Sequence, residues 1–276
     1  MTAVEVAPVP QAGELPTLRS SLLSSVPGVV HGFTRRVPGM GNADGNVGYS
    51  PPRDKDDAWA MRQSWSAALG VDPGRLVTAG QVHGNGVLRV YAGDAGTGAR
   101  PDSGRIGLAD ALVTDDVGPI LFSLHADCLP LLLVDPGGRD RGPAVAAVHA
   151  GWRGTVANVA GETVRTMREV FGSSPEALLA SIGPAIGPCC YEVGDDVATA
   201  WQVAAGGERS ALPVVGGRVR FDLVRANVHQ LVRAGMRPQC IERSGICTRC
   251  QGDEWFSHRG QGSTTGRFAA VIGLKV

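Results

Sequence analysis

The stretch ILFSLHADCLPLLLVDPGGRDRGPAVAAVHAGWRGTVAN, residues 120–158, decides the fold because it holds short apolar runs separated by sharp breaks. Three runs lack polar alternation, which is typical of strands buried on both faces: residues 119–124, 131–134 and 144–148. A kink at 126–130 places Cys128 at a break between two strands, and His149 follows the third run. Ligands of α/β proteins usually bind at strand ends, so we expect the chemistry here.

The segment after His149 predicts a turn and a helix. Gly151 and Gly154 permit a sharp turn, Thr155 is a candidate N-cap, and apolar residues recur at helical spacing as far as Phe171. A single cysteine beside a single histidine favours ordinary packing, because free Cys is among the most buried residue types. A third donor changes that balance, and the sequence contains His83 in Gln-Val-His-Gly.

A hairpin is predicted around His83. The Asn85-Gly86 pair lies between two apolar runs, which indicates a type I′ turn. His83 would then be fixed at a strand end. Upstream, the glycine-rich segment 39–52 predicts a long surface loop of the kind that often binds ligands, and the spacing at 56–69 predicts a helix.

Length and composition indicate one globular domain. The chain has 276 residues, is 43% hydrophobic and carries no formal net charge; we expect a mobile tail at 1–25 and a single domain at 26–276. Neutrality argues against nucleic acid and anionic membrane as partners and favours small molecules. With no signal-like N-terminus and no run of about 18 apolar residues, we expect a soluble, cytoplasmic protein.

The positions of the lysines and cysteines argue against further classes of enzyme and of metal site. The two lysines, Lys55 and Lys275, are placed neither for a Walker A loop nor for a pyridoxal Schiff base. The six cysteines all lie between residues 128 and 250, and a chain of this size needs no disulfides, so reduced thiols are expected. A structural zinc site needs four ligands, and no second CxxC or HxxxH accompanies Cys247 and Cys250.

A loop near the C-terminus is a candidate phosphate site. Residues 255–267 combine glycines and hydroxyls with Arg259 and Arg267, and backbone N–H groups with guanidinium forks bind phosphate well. On composition alone, a plain solvated loop fits equally well.

Eight motifs in the same order resemble the YfiH/YlmD-type family, long labelled multicopper polyphenol oxidase or laccase-domain proteins. They cover nearly the whole chain: HGFTRR, NVG, QVHG, ADALVT, HADCLPLLLVDP, AVHAGWRGT, SIGPAIGPCCYEVG and WFSHR with TGR. The resemblance implies an α/β fold, a four-layer α/β/β/α sandwich with mixed sheets in a single domain. It also implies one zinc or copper ion held by His83, Cys128 and His149.

The residue chemistry agrees with that ligand set. One thiolate and two imidazoles suit tetrahedral zinc with a fourth position left for water or substrate, as in catalytic sites. Such an ion is a Lewis acid and lowers the pKa of bound water to roughly 7. Asp127 could orient a ligand histidine or handle protons; alternatively it caps a turn. A true multicopper oxidase has several copper centres held mainly by histidines, whereas the six histidines of this chain are enough for one metal ion.

The resemblance further implies phosphorolysis of purine nucleosides, with adenosine deamination as a companion activity. Hydroxide could attack purine C6, and phosphate held by arginines could attack the sugar C1′. The usual deaminase signature, H-x-E with P-C-x-x-C, does not occur in the sequence. Asn46 and Arg62 match family positions expected to form the pocket, and Arg153, Arg259 and Arg267 are the phosphate candidates, Arg153 also as a catalytic residue.

Three rival hypotheses stay open at this point. One is a copper-dependent polyphenol oxidase. Another is a metal-free cysteine hydrolase with Cys128 as nucleophile and His149 as base. The third is a zinc-stabilised binding module without turnover. The sequence leaves protein partners unknown.

Overall fold

The computed structural model describes residues 15–138 and 141–275. The helices are α1 (Ser21–Ser24), α2 (Lys55–Leu69), α3 (Trp152–Val156), α4 (Val159–Phe171), α5 (Asp195–Ala204), α6 (Leu223–Arg233) and α7 (His258–Gln261). The strands are β1 (Val29–Phe33), β2 (Leu76–Val77), β3 (Val87–Arg89), β4 (Ala111–Thr114), β5 (Ile120–His125), β6 (Leu129–Asp135), β7 (Ala144–Ala150), β8 (Leu179–Ile182), β9 (Val214–Val215), β10 (Arg218–Val219), β11 (Ile241–Arg243) and β12 (Phe268–Leu274).

Two mixed sheets form the centre of the molecule. The four-stranded sheet has the order β1-β12-β5-β2, and the six-stranded sheet has the order β11-β8-β6-β7-β4-β3. Each sheet contains antiparallel and parallel pairs: β2 runs parallel to β5, β3 to β4, and β8 to β11. Strands β9 and β10 form a separate two-stranded ribbon.

The alternation of side chains along β6 shows how the layers stack. Leu131 and Leu133 pack into a core shared with α4 and α6, whereas Leu132 and Val134 pack against the four-stranded sheet. Successive strand residues point to opposite faces, so the apolar run noted in the sequence is buried on both sides. All four of these leucine and valine side chains are fully buried.

Helices cover both outer faces and complete four layers. Helix α2 begins after Asp54, whose side chain accepts from the Asp57 N–H, and ends at Gly70, where φ is 71°. Its Trp65 packs on the outer face of the four-stranded sheet. Helices α4 and α6 cover the other sheet. The predicted single-domain α/β/β/α sandwich is thus confirmed. Within the described ranges, every helix is too short or too polar to cross a membrane.

Residues 15–25 of the predicted mobile tail pack against the domain. Ser20 caps α1 through its side chain, Leu23 is fully buried, and Leu15 is 5% exposed. Leu18 also forms a bridge with Phe33 of β1. These apolar contacts hold residues 15–25 against the domain. The remainder of the predicted tail, residues 1–14, lies outside the described part of the chain.

Two local predictions also need correction. Leu76–Val77 pairs with β5 and Val87–Arg89 pairs with β4, so the two runs beside Asn85-Gly86 belong to different sheets and form no hairpin. The predicted helix after His149 is two helices, because Asn158 adopts a left-handed φ of 65° between α3 and α4. Thr155 lies inside α3 rather than at its cap.

Candidate metal centre and active site

Three donor side chains from distant parts of the chain meet at one edge of the six-stranded sheet. Cys128 directly precedes β6, and His149 lies near the end of β7; the register pairs Leu129 with Ala150 and thereby brings their side chains together. His83 comes from the loop before β3. The candidate ligand atoms of His83, Cys128 and His149 all lie within 4.8 Å of one another. The sequence therefore identified residues that do converge.

The donor set fits one ion with an open side. His149 is buried, Cys128 is partly exposed and His83 is exposed, so access from solvent is on the His83 side. Within the described ranges, the group contains three protein donors and no fourth His, Cys, Asp or Glu. Three ligands with one position left is the arrangement of catalytic rather than structural zinc sites.

Asp110 organises the site, although no motif in the sequence predicts this role. Its carboxylate accepts backbone N–H bonds from His83 at 3.0 Å and Gly84 at 2.6 Å, and a bond from His149 Nδ1 at 2.8 Å. Burial would raise the pKa of Asp110, but these hydrogen bonds and the His149 charge lower it. One carboxylate thus fixes both histidines and leaves His149 Nε2 to face Cys128.

Replacing Asp110 by asparagine should weaken metal binding by about 10- to 100-fold, the usual cost of losing a group that orients a ligand histidine. The amide has one acceptor oxygen and therefore cannot serve both the backbone N–H groups and His149. Zinc affinity measured against a competing chelator tests this. Asp115→Asn, an exposed position paired with Arg89, is the matched control. Equal affinity in both variants would contradict the orienting role.

Cys128 and His149 form a charged pair when no ion is bound. Burial alone would raise the pKa of the Cys128 thiol, but the charge of His149 and hydrogen bonds from both histidines lower it to about 6. Burial would lower the pKa of His149, but the Cys128 thiolate and Asp110 raise it to about 9. A divalent ion that binds here must therefore displace the His149 proton.

Alkylation of metal-stripped protein should reveal this thiolate. Because the thiolate is the nucleophile, the rate of Cys128 modification by iodoacetamide should be half-maximal near pH 6 and level off above it. A small free thiol, the control, should still be gaining reactivity at pH 8. Peptide mass spectrometry assigns the modified cysteine. A Cys128 profile that follows the free thiol would contradict the charged pair.

His125 supports Cys128 from the core. It is 1% exposed; Nδ1 donates to the Cys128 carbonyl at 3.1 Å, and Nε2 accepts from the Ser123 hydroxyl at 2.8 Å. Burial and the neighbouring His149 charge hold the pKa of His125 well below its usual value. A neutral ring can satisfy both contacts, so His125 positions the loop rather than binding the ion.

Asp127 lies beside Cys128 but does not orient a ligand histidine. Its carboxylate accepts from the Thr248 hydroxyl and from the Arg259 backbone N–H, both at 2.6 Å. The orienting carboxylate is Asp110 instead. Asp127, with a left-handed φ of 84°, joins the loop at Cys128 to two loops from the C-terminal part of the chain. Its proposed part in catalysis stays a prediction.

The three candidate phosphate arginines lie on segments next to this edge: Arg153 follows β7, Arg259 bonds to Asp127, and Arg267 precedes β12. The Arg259 guanidinium lies 5.2 Å above the Tyr191 ring and donates to the Glu192 carbonyl at 3.1 Å. The exposed Arg153 lies at the start of α3. Burial lowers the pKa of Arg267 to about 10, while the Cys128 and Asp127 charges act in the opposite direction. Arg259 also lines a cleft of about 430 Å³ that includes Arg220 and Arg249.

Arg62 and Asn46 are buried side chains that hydrogen-bond to the backbone of neighbouring loops. Arg62 is 2% exposed; its guanidinium donates to the carbonyls of Val47, Gly98 and Ala99 and lies 3.8 Å from the Tyr49 ring. Arg62 Nε and Nη1 are engaged on backbone carbonyls and hold these loops together; its expected place in the pocket stays a prediction.

Asn46 has a similar role to Arg62. It is fully buried, and its side-chain oxygen accepts from the N–H groups of Gly48 and Arg267 at 3.0 Å and 2.8 Å. Its amide donates to the Gly48 carbonyl at 3.0 Å. Asn46 therefore positions the Arg267 backbone, and its expected part in forming the pocket stays a prediction.

Comparison with known proteins gives a consistent result. The family model described as multi-copper polyphenol oxidoreductase laccase matches residues 30–275. Purine nucleoside phosphorylase YlmD of Geobacillus stearothermophilus is 35% identical, over 90% of this chain and 91% of the relative. Purine nucleoside phosphorylase SCO2081 of Streptomyces coelicolor is 37% identical, over 91% and 97%.

Solved structures share the architecture as well. The crystal structure of YlmD from Geobacillus stearothermophilus has a TM-score of 0.84 and 32% identity, covering 97% of this chain and 99% of that one. Bacillus licheniformis hypothetical protein YfiH has a TM-score of 0.82 and 34% identity, covering 90% and 93%. Sequence and fold agree over almost the full length, and the chain belongs to the laccase-like YfiH/YlmD family.

Proposed function

We propose that this protein is a metal-dependent purine nucleoside phosphorylase that converts adenosine or inosine and phosphate to the base and ribose 1-phosphate. The observation that carries the proposal is the convergence of His83, Cys128 and His149 within 4.8 Å. Asp127, the residue before Cys128, accepts a hydrogen bond from the Arg259 N–H. Relatives named purine nucleoside phosphorylase at 35% and 37% identity support the reaction class.

The donor set favours zinc over copper. A blue-copper site adds a weak axial ligand, commonly methionine, to two histidines and a cysteine. The methionines of the described chain pack elsewhere: Met61 belongs to α2 and packs in one core cluster with Met40, and Met167 belongs to α4 and packs in another with Met236. Only two groups of metal-binding residues occur in residues 15–138 and 141–275, and neither is histidine-rich enough for a cluster of copper ions.

In the proposed reaction, a phosphate oxygen bonds to C1′ as the C1′–N bond to the base breaks. Arg259, with Arg153 and Arg267, would hold phosphate and balance its charge, because guanidinium groups bind phosphate oxygens in a fork. His83, Cys128 and His149 would hold zinc, which when bound acts as a Lewis acid on the substrate. Asp110 keeps both histidines in place throughout, which lowers the cost of reorganisation.

The cysteine hydrolase hypothesis gains one observation. Asp110, His149 and Cys128 form a chain of acid, imidazole and thiol, which resembles the arrangement that activates a nucleophilic cysteine. His83 separates the two hypotheses, since a hydrolase of that design needs no second imidazole close to the thiol. Zinc should protect Cys128 from iodoacetamide, whereas a catalytic thiol would react in protein as purified.

Product analysis tests the proposed function. Purified protein is incubated with inosine or adenosine, with and without phosphate, and base, inosine and ribose 1-phosphate are quantified. We expect equal amounts of base and ribose 1-phosphate, no base release without phosphate, loss of turnover after chelation and recovery with zinc. Inosine formed from adenosine in the same assay measures the companion deamination.

Two results would overturn the proposal. Base release that yields free ribose without phosphate would indicate a hydrolase. Oxygen consumption with a phenol after copper loading, together with no nucleoside turnover, would indicate the copper-dependent polyphenol oxidase.

A further inference from the structure

A second cluster of metal-binding side chains lies outside the proposed active site. Cys189 and Cys190, which are adjacent in sequence, meet the Cys247 and Cys250 pair, and the four sulfur atoms lie within 4.8 Å of one another. All four are free thiols. In sequence the CxxC has no second pair of ligands at zinc-finger spacing, and the fold supplies that pair from a distant loop.

The sheet topology explains why these two loops meet. Strands β8 and β11 are parallel neighbours, with Ile182 opposite Arg243. The loops that follow them therefore leave from the same edge of the sheet. A further bridge between Ala185 and Cys247 extends the pairing to the cluster.

The sulfur positions fit a single ion. Cys250 Sγ lies 3.5 Å from Cys189 Sγ and 3.4 Å from Cys190 Sγ. Zinc–sulfur bonds of about 2.3 Å in a tetrahedron separate sulfurs by about 3.8 Å. A disulfide would need about 2.05 Å. An iron–sulfur cluster would hold its cysteines further apart, because several iron and sulfide atoms lie between them.

The backbone around the cluster is shaped for thiolates. The Gly187 N–H donates to Cys247 Sγ at 3.2 Å, a contact that favours the charged form of sulfur. A side chain on Gly187 would come within 3.3 Å of Cys189 Sγ and of Cys247 Cβ. Two turns enclose the sulfurs, closed by bonds from Tyr191 N to the Gly187 carbonyl and from Gln251 N to the Cys247 carbonyl.

We propose that Cys189, Cys190, Cys247 and Cys250 bind one zinc ion as a structural site closed by four thiolates. Four sulfur ligands in a tetrahedral arrangement select a soft or borderline ion, and four protein ligands leave no position for substrate. The presence of this ion does not depend on the proposed phosphorylase activity.

This second ion would brace the wall of the metal centre. Thr248, between two of the thiolates, donates through its hydroxyl to Asp127, the residue before Cys128. Ile186, which precedes the other cysteine pair, donates its N–H to the Asp127 carbonyl at 3.0 Å. Zinc at the four cysteines would therefore fix the two cysteine-bearing loops, each of which contacts Asp127.

Metal analysis of the full chain tests the proposal. Wild-type protein should contain about two zinc ions per chain, and Cys128→Ala and the double variant Cys247→Ser/Cys250→Ser about one each. Cys240→Ala, which removes a buried thiol outside both clusters, should keep two. One ion in wild type and none in Cys128→Ala would overturn the four-thiolate site. One ion in both would instead leave this site standing and overturn the active-site metal.

A measurement on wild-type protein covers the case in which the double variant fails to fold. Iodoacetamide should modify the four cluster cysteines only after chelation, as read by peptide mass spectrometry, and cobalt substitution in Cys128→Ala should give the intense charge-transfer absorption of a tetrahedral thiolate site. Modification without chelation, a disulfide among the four, or iron in place of zinc would overturn the proposal.

Discussion

Replacing Cys128 by alanine should remove the ion from the proposed active site and lower phosphate-dependent base release by at least about 1,000-fold. The thiolate is the only anionic donor among the three ligands, and two imidazoles alone hold zinc far more weakly. A Lewis acid contributes several kcal/mol to the reaction, and about 1.4 kcal/mol corresponds to a tenfold change in rate. The measurements are kcat/KM with inosine and zinc content.

The fold should survive this substitution. The loop at Cys128 is held through backbone groups, by His125 on the Cys128 carbonyl and by Ile186 on the Asp127 carbonyl. Cys240→Ala is the matched control, because it removes a thiol from the end of a different loop. If Cys128→Ala kept the turnover of the control, the metal-dependent mechanism would be wrong.

The layers of the fold could be predicted from sequence because they depend on short apolar runs. The runs at 119–124, 131–134 and 144–148 became β5, β6 and β7, since segments without polar alternation are stable only when both faces are buried. Strand partners could not be predicted in the same way. Leu76–Val77 and Val87–Arg89 lie close in sequence but pair in different sheets, and the turn signal between them does not encode that choice.

The ligands were easier to find than the residues that hold them. Histidine and cysteine at strand ends serve few purposes, so His83, Cys128 and His149 are conspicuous in the sequence. Asp110, by contrast, resembles any aspartate at the start of a strand. Its importance follows from register: β4 pairs with β7 so that Ala111 lies opposite Val148, and Asp110 then lies beside His149. The signal available in the sequence was an aspartate directly before a short apolar run.

Burial also explains why the arginines divided into two classes. Arg62 and Arg259 look alike in sequence, but Arg62 is 2% exposed and bonded to backbone carbonyls, whereas Arg259 is exposed beside a cleft.

The sequence does not indicate that Cys189 and Cys190 are partners of the CxxC at Cys247 and Cys250. Only the parallel pairing of β8 with β11 brings the two loops together.

Replacing Gly151 by alanine should disable the metal centre without disturbing the backbone. Gly151 has an ordinary φ of −72°, which alanine adopts freely. The added methyl would lie 2.9 Å from Cys128 Sγ, closer than real side chains approach, and 3.0 Å from His83 Cδ2, which is tighter than most real contacts. Cys128 must shift and His83 must give by a few tenths of an ångström. Because a displacement of about 1 Å near reacting groups costs on the order of 100-fold in rate, we expect a loss of up to that size.

The matched control is Gly93→Ala, where an added methyl has no neighbour within 4 Å among the described residues and φ is likewise not left-handed. Thermal unfolding should be nearly unchanged in both variants, while zinc affinity and phosphorolysis fall only in Gly151→Ala. The atoms nearest to a side chain at Gly151 belong to Cys128 and His83. A loss of zinc affinity in Gly151→Ala would therefore show that the ion needs the space between those two donors. Equal zinc affinity and turnover in the two glycine variants would mean that the donors do not enclose an ion at this position.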